Sequence, residues 1–342
     1  MNRRDFLNST LVIAGSGMAF NNIFAQDLPI SSYIGNGGES VQKHLTVYPD
    51  TQNGKHQLYQ LWVRDNNNTV LTSYRAHTSQ KYPFFYPVAG PTSGLSLTSE
   101  SGRPWPHHRS LFFGLDRVND GNYWQGDLKQ GQIISNGPSF AKDEKGKYKI
   151  NGSRIEISDS CVWKQPNKPP IMEDKRTFVI RLIDDKRYAI DATFVLKATA
   201  DQVVIKKSNH GLFGIRCAHD ISVPGGGTLL SSNGDSGEKA TLGKPANWMA
   251  FFGKRHKTEI TEGIAVFCPS KATHPKFEKC KWFTRDYGNC SPFPMNFFSQ
   301  NETLTLEKDE ELRLRYSIVA FTGTPKDAEL DKLWEEFDNQ NS

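Results

Sequence analysis

The sequence predicts an all-β protein, a large antiparallel β-sandwich with a short C-terminal helix. Three observations lead there. From Ser40 onward short segments mix apolar and polar residues in near-alternation, the period of half-buried strands. Clusters of Asp, Asn, Thr and Gly separate these segments, as turns do. Aromatic residues are plentiful, and so are Gly and Pro at 28 and 18, a composition that suits many strands and turns. At 342 residues the chain can form one large β domain or two ordinary ones. With no repeat and no low-complexity linker in view, one continuous domain over 27–342 is expected.

The first 26 residues read as a signal of the twin-arginine type. Arg3-Arg4-Asp5-Phe6-Leu7 is followed by Leu11-Val12-Ile13-Ala14-Gly15 and a modest apolar region ending near Ala25. Ile23 sits where a small residue is preferred before a cleavage site. Gly and Asn break the apolar run, which is too short to span a bilayer. A periplasmic or secreted protein is the expectation.

Strands are then expected at Leu45–Tyr48, Gln57–Val63 and from Val70, with Asp65-Asn66-Asn67-Asn68 as a turn. The proline-rich Tyr82–Val88 reads as an edge strand or a cleft wall, because proline cannot donate to a ladder. Leu111–Gly114 reads as a buried strand fed by a proline-held turn. Gln132–Ser135 and Tyr148–Ile150 flank a polar hairpin at Lys142–Gly146. Arg154–Trp163, Thr177–Leu182, Arg187–Leu196 and Gln202–Lys207 follow as a meander or a piece of a sandwich. Gly225–Gly227 and Asn233–Gly237 read as turn-rich connections. Asn247–Gly253 and Gly263–Cys268 read as strands, and Thr303–Leu306 and Glu311–Phe321 as a final hairpin around Lys308-Asp309-Glu310. Thr324-Pro325 then starts a helix carrying Leu330, Leu333, Trp334 and Phe337, which would close an open end of the sheets.

Charge and cysteine usage narrow the function classes. The formal charge of +5 is mild, and basic residues are interspersed with acidic ones, which gives no support for nucleic acid as a partner. Five cysteines, Cys161, Cys217, Cys268, Cys280 and Cys290, are too widely spaced for a zinc knuckle. Cys268, Cys280 and Cys290 are near enough in sequence to pair, but buried free thiols are the simpler expectation. No GxSxG elbow, P-loop or dinucleotide fingerprint is present.

The richest window for chemistry is Arg103–Trp124, RPWPHHRSLFFGLDRVNDGNYW. Histidine is the natural acid/base near neutral pH, and arginine grips carboxylates bidentately. On an extended segment His107 and Arg109 would share one face and His108 the other. One histidine would then enter a site and its neighbour would pack. Asp116, Asn119, Asn122 and Trp124 lie close by in sequence. A second cluster, His274–Tyr287, carries His274, Trp282, Arg285, Asp286 and Tyr287. A third is Phe213–Asp220, where Arg216 sits in an apolar strand and must meet a carboxylate or a polar cavity. A fourth, Asn233–Glu238, offers Asp235 and Glu238. No cofactor is predicted. A divalent metal is an open option, through His107, His108, His219 or His274 with a carboxylate, although no HExxH-like motif is present. Aromatic rings beside Arg, Asp and Asn suit sugars, whose C–H faces pack on rings while hydroxyls bond polar groups.

The stretch Pro106–Gly114 with Val118-Asn119 and Tyr123-Trp124 resembles the bacterial PmoA-type domain family. The resemblance continues through Gly214-Ile215-Arg216, Gly243–Trp248, Trp282–Gly288, Leu312–Tyr316 and Gly323. That family is catalogued as "methane oxygenase", yet a particulate methane monooxygenase subunit would carry membrane spans that this sequence lacks. Leu115-Asp116-Arg117 departs from the smaller residues and Gly of the family pattern. The resemblance implies a large secreted β-sandwich from glycan-processing repertoires, and the supersandwich of sugar mutarotases and some polysaccharide lyases is one form of it. Together these readings lead to an exported carbohydrate-active enzyme, a glycoside hydrolase or lyase. His107 or His108 would transfer protons, and Asp286 and Glu238 are the candidate catalytic carboxylates. Arg109, Arg216 and Arg285 would hold a sugar hydroxyl or a uronate. Trp124 or Trp282 would form a stacking platform, and Asn119, His274 and Tyr287 would complete the binding surface. A non-catalytic glycan-binding protein and a metal-dependent oxygenase or hydrolase are the alternatives. The whole site requires Arg103–Trp124 and Trp282–Tyr287 to be neighbours in the fold.

Overall fold

Two antiparallel sheets of nine strands each face one another across an aromatic core. A computed structural model describes residues 45–50, 60–65, 67–147, 149, 151–206, 208, 211–271, 280–293 and 303–340. The expected signal, the start of the Gln57–Val63 strand, most of Tyr148–Ile150 and His274 lie outside the described residues. The first sheet runs in spatial order Lys281–Arg285, Asn289–Phe293, Leu212–Arg216, Leu111–Gly114, Phe84–Val88, Val70–Arg75, Gln60–Arg64, Leu45–Asp50 and Asn151–Gly152. The second runs Thr228–Ser231, Trp248–Lys254, Thr261–Phe267, Glu311–Thr322, Arg187–Ala198, Met172–Asp184, Arg154–Lys164 and Gln132–Ser135, with Ser139–Phe140 also paired to Arg154–Lys164. Gln202–Ile205 and Leu304–Glu307 form a separate ribbon.

Alternation along each strand sends one set of side chains between the sheets. Phe113 of the first sheet stacks on Phe194 of the second at 3.9 Å, and Phe85 meets Phe178 edge-on at 4.8 Å. Phe213 and Tyr316 stack at 4.8 Å. Charge is also sealed inside this core. Asp174 takes Arg176 in a two-pronged ion pair, through Nε at 2.7 Å and Nη2 at 2.6 Å. The Trp163 indole donates to the same carboxylate, while Tyr74 reaches across from the first sheet to Asp159. A second polar staple joins the sheets at one edge. Glu262 is fully buried and accepts from the backbone N–H groups of Thr92 and Ser93. Gly90 makes room for it, since a Cβ there would stand 1.9 Å from its Oε2.

Several expectations change. Phe84–Val88 is an inner strand, flanked by Leu111–Gly114 and Val70–Arg75. The ladder tolerates Pro87 because the register shifts between Thr72 and Tyr74, where the missing donor falls. Thr228–Ser231 and the hairpin Lys281–Arg285/Asn289–Phe293 are additional strands, and Leu304–Glu307 pairs with Gln202–Ile205 instead of forming a final hairpin with Glu311–Thr322. The helix begins at Leu330, after a turn in which the Asp327 carboxylate caps Thr324. It covers the outer face of the second sheet and does not close an end. Leu330, Leu333 and Phe337 pack on Trp248, Phe267 and Phe321. All five cysteines are buried and free. No helix among the described residues is long and apolar enough to cross a membrane.

Candidate functional site

The same alternation that sends Phe113 and Phe213 inward turns Phe112, Gly214 and Arg216 to the outer face of the first sheet. Register then lines up their neighbours. Phe112 lies opposite Phe84 on one side and Gly214 on the other, Arg216 opposite Asn289, and Asn289 opposite Arg285. Gly214 is required here, because a Cβ would come within 2.6 Å of the Phe112 ring. The Phe112 ring lies over it and carries a stack. Trp124 is 5.4 Å from Phe112 and nearly parallel to it, and His108 is 5.3 Å from Trp124 with an 8° interplanar angle. Tyr287 stacks on His108 at 6.2 Å with a 22° interplanar angle. Arg103–Trp124 and Trp282–Tyr287 are therefore neighbours, as the site required.

The two histidines have different surroundings, but alternation is not the cause. Residues 105–108 form a turn closed by the His108 N–H donating to the Trp105 carbonyl, and Ser110 follows at φ 46, outside the strand region. The His108 ring is buried in the stack. The His107 ring is half-buried, edge-on to Trp124 at 5.2 Å and 6.0 Å from Trp105. Its carbonyl is fixed by the Trp124 indole N–H and the Tyr82 hydroxyl. Burial holds the His107 imidazole below the usual histidine range, which keeps it neutral at neutral pH. Trp105, with 47% of its surface exposed, forms the outer rim beside it.

Arg216 lies under this rim. It is 5% exposed, and its guanidinium stands 4.4 Å from the centre of the Tyr287 ring. Gly102 packs against it, where a Cβ would come within 2.8 Å of Nε. Nη2 donates to the Arg103 carbonyl at 2.7 Å, whereas Nη1 is buried with no hydrogen-bond partner among the described residues. Burial without a carboxylate beside it lowers the Arg216 pKa from the usual arginine range. Asn289, its partner across the ladder, is completely buried, and neither its amide nitrogen nor its oxygen has a partner among the described residues. Burial also raises the Tyr287 hydroxyl above the usual tyrosine range, against the opposing effect of Arg216 and Arg285.

The other expected residues are placed differently. Arg109 donates to Gln80 Oε1 at 2.8 Å and covers the Phe84 ring. Arg285 pairs with Glu238 at 2.5 Å. Glu238 and Asp286 clasp each other's backbone: the Glu238 N–H donates to Asp286 Oδ1 at 2.7 Å and the Asp286 N–H to Glu238 Oε2 at 3.1 Å. Both carboxylates are thereby engaged by the turn that carries Tyr287. Trp282 is fully buried with its indole N–H on the Ala246 carbonyl, so it cannot be a stacking platform. Trp124 is also buried and supports His108 from within. Asn119 belongs to a different place, where its side chain and backbone clasp the Gln202–Val204 backbone. Among the described residues no three His, Cys, Asp or Glu side chains gather to hold a metal. Sequence reasoning missed Trp105 and Asn289 as site residues. A tryptophan between two prolines, held out of any strand, was the available signal for the first. Only strand register reveals the second.

The fold and this cluster define an all-β sandwich with an aromatic and arginine site on the outer face of one sheet. The chain belongs to a family of unknown function (DUF6807), whose model matches residues 62–335. No curated protein matches the sequence. Among solved structures, a TPR-domain containing protein from Parabacteroides distasonis ATCC 8503 aligns at 10% identity and a TM-score of 0.21. That alignment covers 77% of this chain and 45% of the solved chain, a likeness too slight to bear on fold or function.

Proposed function

We propose that this chain is an exported carbohydrate-active enzyme, in keeping with its resemblance to PmoA-type proteins, and that its sugar site is the outer-face cluster. One observation carries the reading. One turn presents an exposed indole (Trp105) and a half-buried imidazole (His107), and its next residue, His108, stacks on Tyr287, which lies over the buried Arg216 from a distant strand. Trp105 offers the apolar face on which a sugar ring packs. His107 is the group able to take a proton at neutral pH, because burial keeps it unprotonated. His108, closed in the stack, orients Trp124 and Tyr287 around it.

The test is a product screen on plant and algal polysaccharides and oligosaccharides, with wild type beside His107→Ala. Products formed by wild type and lost in the variant are expected. Identical products from both would remove His107 from the chemistry. A second reading, a glycan-binding protein without turnover, is favoured by the clasp that occupies both Glu238 and Asp286. It predicts that no substrate in the screen is converted while Trp105→Ala still weakens sugar binding.

A further inference from the structure

We infer that the site takes an acidic sugar, and that Arg216 and Asn289 receive its carboxylate. The inference rests on the sugar-site reading and names the substrate class. Arg216 and Asn289 face each other across the Leu212–Arg216/Asn289–Phe293 ladder, so their side chains emerge on the same side of the sheet, with Cβ atoms about 5 Å apart. Each is at least nine-tenths buried, and each has polar atoms without a partner among the described residues: Nη1 of Arg216 and both amide atoms of Asn289. A buried guanidinium normally has a carboxylate beside it, because its charge is otherwise left uncompensated away from water. No described carboxylate forms an ion pair with Arg216, and Glu238, near the Tyr287 turn, is held by Arg285.

The guanidinium is closely packed. The Tyr287 ring centre stands 4.4 Å from it, and Gly102 packs so closely that a Cβ would come within 2.9 Å of Cζ. One prong is capped by the Arg103 carbonyl, a neutral oxygen where a charged one would bind more strongly. A carboxylate arriving under the Gly102–Trp105 turn takes over that prong from Arg103 and engages Nη1 with its second oxygen. The Asn289 amide nitrogen donates to it from the neighbouring strand. The same turn carries Trp105, so the sugar ring attached to that carboxylate meets the indole. A uronic acid has both groups, an acid on C5 and an apolar ring face, within one residue.

The test measures binding of oligogalacturonate and oligoguluronate to the full chain by calorimetry, each beside its carboxyl-reduced neutral counterpart. A uronate oligomer is expected to bind about tenfold or more tighter than its neutral form, the range of a charged hydrogen bond. Asn289→Asp is nearly isosteric and supplies Arg216 with a carboxylate from inside the protein. It is expected to erase that preference, and Arg216→Gln to do the same. Equal binding of the acidic and neutral forms would overturn the inference and leave the sugar site standing. A preference that survives undiminished in Asn289→Asp would also overturn it. Binding of neither form would overturn both this inference and the sugar-site reading.

Discussion

Replacing Asp174 by alanine should destabilise this protein more than almost any other single change, although the residue touches no ligand. Asp174 and Arg176 are two apart on one strand, so both point between the sheets, where each is essentially unexposed. The guanidinium stands 5.7 Å from the Phe113 ring and 5.5 Å from the Phe194 ring, in the middle of the aromatic core. Removing the carboxylate strands that charge at a cost of about 3–5 kcal/mol. The Trp163 indole N–H loses its acceptor as well, which adds about 1–3 kcal/mol. Asp159 lies close enough to feel Arg176 and offsets part of the loss. A net cost of about 4 kcal/mol follows, a large fraction of the 5–15 kcal/mol that typically separates folded from unfolded chains. The double variant Asp174→Leu/Arg176→Met removes both charges and should recover most of that loss. Urea unfolding followed by near-ultraviolet circular dichroism measures all three proteins. A single-variant loss below about 1 kcal/mol would refute the account of a sealed ion pair.

Two further outcomes test the link between fold and site. Gly214→Ala should cost about 1–3 kcal/mol by overpacking, because its methyl group meets the Phe112 ring at 2.6 Å. It should also shift the imidazole resonances of His108, which rests on the same stack. Unchanged resonances would mean that Phe112 does not support the site. His107 gives a pH dependence. Its folded pKa lies below the unfolded value of about 6.5. Its contribution to stability is therefore fully present above about pH 6.5 and is lost as pH falls through the folded value, where the unfolded chain has already bound the proton. Thermal melts of wild type and His107→Gln should diverge across that window, and parallel curves would contradict a buried neutral imidazole.

Much of the sandwich was legible because strand period and turn chemistry are local. Arg154–Lys164, Met172–Asp184 and Arg187–Ala198 alternate apolar and polar residues over long runs, and the burial pattern follows them nearly residue by residue. Phe84–Val88 misled because its proline looked like an edge marker, whereas an irregularity at Tyr86-Pro87, two residues against one of the neighbouring strand, absorbs it. The clasp between Glu238 and Asp286 joins residues 48 apart in the chain, which no local pattern reveals. The buried pairs Asp174 with Arg176 and Glu262 with the Thr92–Ser93 backbone gave no signal, since charged residues in strands normally face water.

The sequence by itself determined that the chain forms β-strands, and that the window from Arg103 to Trp124 is dense in groups able to bind or move protons. Both follow from residue type and spacing along the chain. Tertiary structure decided which of those groups face one another. Strand register put Arg216 beside Asn289, a glycine at 214 let Phe112 carry the Trp124–His108 stack, and the turn after Arg285 brought Tyr287 against both. Partners so far apart in the chain are matched by the pairing of strands, which depends on the whole core and leaves no mark in any short stretch of residues.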